Sequence, residues 1–252
     1  MKILKETGLF CRRKLRENLR QPIWLFSDLV TPLLYIALFA PLLMNLSAPP
    51  LDAAAVLDKF VPGVLTLLAF SSGSGSGWTI IWELQSGVIE RLRVTPASRF
   101  SMLMGAVITD MLTFIAPSIL VIVISAFFGF HVHIGGLAVL LLLLCLLTAV
   151  VSAWSGSLGL IFKQIGTLAA VVGGLQLPLT LLSGVLLPLS LGPPWLRGIA
   201  HFNPMYYTVE ASRLLAGGVV NSAETITAFV VMLPLTVIAL WWATGVYRRA
   251  VA

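Results

Sequence analysis

The chain contains few charged residues. Asp, Glu, Lys and Arg make up 10% of its 252 residues, whereas soluble domains carry about 25%. Hydrophobic residues make up 58% and stand in long runs. A helix of roughly 20 apolar residues already crosses a hydrocarbon layer of about 30 Å. This composition excludes a water-soluble globule and predicts an all-α polytopic membrane protein.

Cysteines and long polar segments are also scarce. The two cysteines, Cys11 and Cys145, cannot form a disulfide framework and lack the spacing of metal ligands. The polar connections are too short for a catalytic domain of about 100 residues. The chain has no Gly-x-x-x-x-Gly-Lys-Ser/Thr sequence, which would bind nucleotide phosphates. We therefore expect a chain that is not an enzyme and that binds no cofactor or metal itself.

Six apolar stretches are each long enough to cross a membrane as a helix. They cover residues 23–44, 60–82, 100–130, 134–162, 165–187 and 226–247. Several contain proline, and we expect kinked helices whose freed backbone groups are satisfied by neighbouring helices. The Gly-Ser-Gly-Ser-Gly tract at 73–77 favours close helix packing. The first stretch, at 22 residues, is too long for a cleaved signal peptide, whose apolar region spans about 7 to 15.

The basic residues are distributed unevenly over the connections between these stretches. When the connections are assigned alternately to two sides, 13 of the 16 Lys and Arg residues fall on one side, and Lys59, Arg197 and Arg213 on the other. The positive-inside rule places the richer side in the cytoplasm. Both termini are then cytoplasmic, as an even number of spans requires. The net charge of +6 therefore indicates membrane topology and not a nucleic-acid partner.

Residues 1–22 have the pattern of an amphipathic helix. Charged residues occupy much of one side, and an apolar stripe recurs at helical spacing on the other. The stripe consists of Leu4, Gly8, Cys11, Leu15 and Leu19. Such a helix would lie on the inner membrane surface, where its bases meet the anionic headgroups of membrane lipids. Alternatively, the segment is a basic topology determinant that needs no helix.

The polar connection at 83–99 predicts a short cytoplasmic helix. Gly87 can end the preceding helix and Pro96 can stop the next, which leaves residues 88–94 as about two helical turns. Val88, Leu92 and Thr95 would share one face, and charged residues the others. These charged residues are Glu90, Arg91 and Arg93. A rigid helix of this kind suits docking to a partner, although any charged turn between two spans can have the same pattern.

Residues 188–213 are too apolar to be solvated and too interrupted to cross a membrane. Proline and glycine break the segment at Pro188, Gly192, Pro193, Pro194, Gly198 and Pro204. Short helices that enter the outer leaflet and return would satisfy both constraints. Tyr206 suits the membrane interface, and Glu210 can pair with Arg213 at i, i+3.

The whole chain resembles the type-2 ABC exporter permeases. The resemblance rests on the helix order together with two segments. These are the loop Gly-Val-Ile-Glu-Arg-Leu-Arg-Val-Thr-Pro-Ala-Ser-Arg at 87–99 and the segment Asn-Pro-Met-Tyr-Tyr-Thr-Val-Glu-Ala-Ser-Arg at 203–213. The chain is most similar to the drug-exporting branch, that of daunorubicin-resistance permeases. An exporter of polysaccharide or lipid is the alternative within the family.

The resemblance implies one transmembrane domain, residues 1–252, in a bacterial plasma membrane. It implies a second permease, identical or homologous, and two separate ATP-binding subunits that carry ATP and Mg. The path would be lined by the first, second and fifth spans. Residues 87–96 would form the coupling helix that docks to the ATPase, with Gly87, Glu90, Arg91, Leu92, Arg93, Thr95 and Pro96. Residues 188–213 would form re-entrant outer helices, with Pro188, Pro194, Asn203, Pro204, Tyr206, Glu210 and Arg213.

Asp28 and Asp110 are the acidic residues nearest the membrane interior. A carboxylate centred in a span costs roughly 2.5 to 3.5 kcal/mol on an insertion scale. Snorkelling, or pairing with Arg20 or Arg99, would remove much of that cost. A proton relay is the functional alternative, and it would make the chain a proton-coupled secondary transporter. We interpret the histidines as interfacial residues, because neither a cysteine nor a nearby carboxylate completes a metal site around them.

Overall fold

The computed structural model describes residues 2–20, 29–38, 41, 52–93, 98–185 and 193–250. The regular elements in these ranges are helices. They are α1 (Lys2–Leu19), α2 (Leu29–Leu38), α3 (Ala53–Gln85), α4 (Val88–Arg93), α5 (Arg99–Phe127), α6 (Ile134–Phe162), α7 (Ile165–Leu181), α8 (Pro194–Ala200), α9 (Pro204–Ala216) and α10 (Ala223–Ala250). The prediction of an all-helical protein is confirmed for the described part of the chain.

Four helices, α3, α5, α6 and α10, are long and apolar enough to cross a membrane. They correspond to the predicted spans at 60–82, 100–130, 134–162 and 226–247. Helix α3 begins well before residue 60, because the helix continues through the charged residues Asp58 and Lys59. Helices α2 and α7 are shorter apolar helices inside the predicted first and fifth spans. Residues 23–28, 39–40, 42–44 and 186–187 of those two spans lie outside the described residues.

Helices α3 and α6 form the centre of the bundle, and their contact is close because small residues face each other. A Cβ on Gly73 would lie 2.7 Å from the Thr148 carbonyl oxygen, and a Cβ on Gly77 would lie 2.5 Å from Ser155 Oγ. The serine hydroxyl donates to the Ser74 carbonyl at 2.6 Å. The glycine tract was predicted to allow close helix packing, and the structure confirms this. Helices α5, α9 and α10 pack around the pair.

Two glycines of the same tract give a matched test of this packing. Gly77→Ala is expected to destabilise the protein by about 1–3 kcal/mol, because the new methyl group would overlap the backbone of α6. At Gly75 a Cβ meets nothing within 4 Å, so Gly75→Ala should leave stability unchanged or raise it by up to about 1 kcal/mol. Thermal unfolding of the detergent-solubilised protein measures both, and equal midpoints for the two variants would contradict the packing.

Candidate functional site

The short helix α4 follows α3 after a two-residue turn. Gly87 in this turn has φ +70°, a left-handed conformation that glycine adopts without strain, and it ends α3 as predicted. The predicted helix at 88–94 is observed at Val88–Arg93. Thr95 and Pro96, which were predicted to belong to the coupling segment, lie outside the described residues, as does the side chain of Arg93.

Ile89 anchors α4 to the bundle. Its side chain is 3% exposed and belongs to an apolar cluster that also includes Leu103, Leu160 and Tyr247. Glu90 and Arg91 are exposed. The sequence pattern predicted that Val88 and Leu92 share one face of this helix and did not indicate Ile89. The apolar residues at 88, 89 and 92 also allow a face made by 89 and 92. In the structure Ile89 of this face is buried.

Helix α1 lies along the first three turns of α5 and runs in the same direction. The Ser98 backbone N–H donates to the Glu6 carboxylate at 3.0 Å. Further along, the hydroxyl of Thr109 donates to the Cys11 carbonyl at 3.5 Å. The close approach depends on Gly105, where a Cβ would lie 2.6 Å from the Phe10 Cβ. The predicted amphipathic helix is thus confirmed as a helix.

The predicted apolar stripe of α1 is largely turned away from the bundle. Leu4 is 78% exposed and Leu19 is 70% exposed. A different face, marked by the buried residues Thr7 and Lys14, contacts the protein. The seven-residue spacing of these two polar residues is the signal that could have indicated a second, inward face.

Two ion pairs tie α1 to the spans near α4. Arg13 Nη2 lies 2.5 Å from Glu83 Oε1 near the end of α3. Lys14 Nζ lies 3.7 Å from Asp110 Oδ1 in α5, and the two side chains are 6% and 8% exposed. Ser152 Oγ of α6 donates to Asp110 Oδ2 at 2.5 Å. Arg13, Lys14 and Glu83 line a small cavity together with residues of α4, α5 and α6, so these helices meet α1 and α3 at this point.

The partner predicted for Asp110 was wrong. Arg20 and Arg99 were the expected bases, but Lys14 is the observed one. The reason is geometric: α1 lies beside α5 and brings Lys14 opposite the carboxylate, while Arg99 sits three turns away and donates to the Leu92 carbonyl at 3.2 Å. Asp110 is therefore a structurally engaged carboxylate. Asp28 lies outside the described residues.

At the opposite end of the bundle, α9 holds the end of α7 through two side chains. Asn203 Nδ2 donates to the Leu179 carbonyl at 2.7 Å, while its Oδ1 accepts from the Met205 N–H and caps α9. Arg213 Nη2 donates to the Gly184 carbonyl at 2.6 Å. Direct hydrogen bonds therefore join the end of α7 to α9.

The other residues predicted for this outer segment are placed as follows. Arg213 Nη1 lies 3.0 Å from Glu210 Oε1, which confirms the predicted i, i+3 pair. Pro194 and Pro204 begin α8 and α9, where a missing N–H has no cost. Tyr206 contacts the ring of His201, and burial, followed by the charges of Glu210 and Tyr207, raises its pKa. Pro188 lies outside the described residues.

One histidine has an acidic partner that the sequence reading did not find. His131 Nδ1 lies 2.9 Å from Asp58 Oδ2, and its backbone N–H donates to the same carboxylate. The expectation that no carboxylate lies near the histidines was wrong, because α3 begins early enough to carry Asp58 to the α5–α6 connection. Within the described ranges, His, Cys, Asp and Glu do not form a cluster of three that could hold a metal.

Comparison with known proteins gives a family. The ABC-2 type transporter family matches residues 5–216. The chain belongs to this family. The ycf38 transport permease of Cyanophora paradoxa is 32% identical to this permease over 219 residues, which cover 84% of the chain and 74% of the relative. The inner membrane transport permease YadH of Escherichia coli is 28% identical over 216 residues, 83% of the chain and 82% of the relative.

A third relative is named for resistance to a drug. The daunorubicin resistance ABC transporter permease protein of Streptomyces coeruleorubidus is 24% identical to this ABC-2 permease over 204 residues, 78% of the chain and 70% of the relative. The resemblance stated from the sequence motifs is thereby confirmed at the level of the family. The family match spans α1 to α9 and therefore includes both α4 and the contact between α7 and α9.

The anchoring role of Ile89 in the permease can be tested by truncation. Ile89→Ala removes a buried side chain, a change that typically costs 2–5 kcal/mol, and should release α4 locally because its other contacts are partly exposed. We expect amide hydrogen exchange at residues 86–93 to rise at least about tenfold. Val88→Ala, at a half-buried position, is the matched control and should change exchange much less. Equal exchange in both variants would show that Ile89 is not the anchor.

The two roles of Asn203 can be separated by two substitutions. Asn203→Ala removes both the cap of α9 and the hydrogen bond to α7, and should lower stability by about 1–3 kcal/mol. Asn203→Ser keeps a capping oxygen, but the serine side chain is too short to reach the Leu179 carbonyl. This variant should therefore lose about half as much stability as Asn203→Ala. Thermal unfolding of both variants tests this, and a serine variant as unstable as the alanine variant would exclude the capping contribution.

Proposed function

We propose that this permease is the transmembrane subunit of an ATP-driven ABC exporter. Two separately encoded ATP-binding subunits, which carry ATP and Mg, bind and hydrolyse the nucleotide, and this chain forms part of the translocation path. The observation that carries the proposal is the geometry of α4. It presents two exposed charges, Glu90 and Arg91, on a short helix that Ile89 anchors in the bundle.

Helix α4 has the properties of a docking element. Among the described residues neither Glu90 nor Arg91 has an ion-pair partner, so both charges are open to a second protein. Charged groups at the rim of an interface orient partners and suppress wrong ones. A buried anchor beneath them lets a partner's movement reach the spans. Movement of the ATPase then shifts the equilibrium between conformations of the path, provided that the contacts of α4 differ between them.

Six spans with both termini in the cytoplasm are part of the proposal. Helices α2 and α7 are the described parts of the first and fifth spans, and α3, α5, α6 and α10 are the other four. The distribution of 13 of 16 basic residues on the α4 side supports this orientation in a bacterial plasma membrane. Helix α1 then lies at the inner leaflet, in contact with membrane lipids, and α8 and α9 are the re-entrant helices of the outer leaflet.

A second permease, identical or homologous, completes the path. Helix α7 supports this arrangement because it leaves most of its surface uncovered in the single chain. Its fully buried side chains are Leu168 and Val172. A span with so little cover inside its own subunit is suited to face a partner subunit and the path between them.

The proposed cargo is a drug or another amphipathic, lipid-like molecule. The daunorubicin resistance permease among the relatives supports this class. Export of polysaccharide or lipid remains the alternative within the family. A proton-coupled carrier receives less support, because the carboxylate available for a relay among the described residues of the spans, Asp110, is held by Lys14 and Ser152.

The docking role of α4 is tested by Glu90→Ala and Arg91→Ala in the complex with the ATP-binding subunits. Each variant should insert normally but lower permease-stimulated ATP hydrolysis and drug export roughly tenfold, as expected for the loss of about 1.4 kcal/mol of docking energy. Purified complexes with daunorubicin as the probe provide both measurements. Glu224→Ala, an exposed change at the opposite end of the bundle, is the control. Full export by both α4 variants would exclude the docking role.

A further inference from the structure

Asp110 is held from two sides by residues of other helices. Its carboxylate accepts a hydrogen bond from Ser152 in α6 at 2.5 Å and lies 3.7 Å from the Lys14 ammonium in α1. Lys14, Asp110 and Ser152 are all buried. The Lys14–Asp110 pair is the most buried ion pair among the described residues. This cluster is the buried charged link between α1 and the spans.

The surface on which α1 lies selects its position along α5 only in part, through the close contact of Gly105 with Phe10. Ser101, Gly105 and Thr109 face α1 at intervals of four residues. The hydroxyls of Ser101 and Thr109 donate to carbonyls of α1 over long distances, 3.4 and 3.5 Å. A row of small residues allows close approach but presents a similar shape one turn, about 5.4 Å, further along. An ion pair differs because a one-turn shift separates the charges and leaves each buried without its partner.

The position of α1 also determines a second contact beside α4. Arg13, the neighbour of Lys14, pairs with Glu83 near the end of α3. Both residues border the small cavity that Ile89 and Leu92 of α4 also line. A shift of α1 by one turn would remove Arg13 from Glu83 and change the support of the coupling helix.

We propose that Asp110 is a positioning residue that, with Lys14 and Ser152, fixes the register of α1 along α5 and thereby couples α4 to the spans. The register is a property of the single chain. The coupling rests on the proposed function, because it assumes that α4 docks to an ATP-binding subunit.

Disulfide cross-linking in native membranes measures the register directly. In a Cys145→Ser background, native Cys11 is paired with Thr109→Cys, its observed neighbour, or with Thr113→Cys, one turn further along α5. With Lys14 and Asp110 intact, Cys11 should link to position 109 at least fivefold more than to position 113. In Lys14→Met/Asp110→Leu, which removes both charges and leaves no buried unpaired one, this preference should fall to about twofold or less. An unchanged preference would overturn the proposal.

Two further variants keep the test decisive if the apolar pair folds poorly. The charge exchange Lys14→Asp/Asp110→Lys retains opposite charges and should restore most of the preference for position 109. Ser152→Ala removes the second hold on the carboxylate while keeping the ion pair, and should lower the preference about twofold. Asp58→Asn, at the exposed pair with His131, is the control and should not alter it. A charge exchange that links no better than the apolar pair would overturn the role of the ion pair.

ATP hydrolysis by the purified complex tests the coupling. The Lys14→Met/Asp110→Leu variant should copurify with the ATP-binding subunits in the native ratio, but its permease-dependent ATPase rate should fall about tenfold. The charge exchange should recover most of this rate. Full ATPase activity in a variant with lost register would overturn the coupling. If the native chain binds no ATP-binding subunit, the proposed function fails, while the cross-linking result still decides the register.

Discussion

The contact between α3 and α6 is the constraint on which the rest of the bundle depends. In a membrane, lipid tails are as apolar as leucine, so burying apolar side chains does not by itself drive two helices together. Close backbone approach and hydrogen bonds must do so. Gly73 and Gly77 remove side chains where α6 crosses, and Ser155 donates to the Ser74 carbonyl across the contact. Helices α5, α9 and α10 then pack on a fixed pair.

The helices around this pair differ in how far their side chains are buried. Helix α3 is mostly buried, whereas α7 has two fully buried side chains, and α10 exposes apolar residues such as Val230 and Trp241. An exposed apolar face is stable against lipid and needs no partner, which accounts for α10. Helix α7 is different because it also exposes glycine and alanine, which contribute little to lipid contact but allow another helix to approach. The exposure of α7 therefore supports the proposal that this helix faces a partner subunit.

Helix type and position could be predicted from the sequence because long apolar runs have one solution in a membrane. The turn before α4 could also be predicted, since Gly87 adopts the left-handed conformation at the point where α3 ends. The ion-pair partner of Asp110 could not be predicted from the sequence. Lys14 is 96 positions away, and many bases compete, so the nearer Arg99 was chosen from spacing alone. Contacts of this kind depend on how helices are arranged in space, which hydropathy does not contain.

The inward face of α4 could not be decided from spacing for a related reason. In a six-residue helix, residues 88 and 92 or residues 89 and 92 can share a face, and the surrounding helices make the choice. That choice has a mechanical consequence. A Cβ on Gly87 would meet nothing within 4 Å, so no side chain packs against the turn at this point, whereas Ile89 is enclosed by the apolar cluster of α3, α5, α6 and α10. The side chain of Ile89 therefore joins α4 to several helices of the bundle at once.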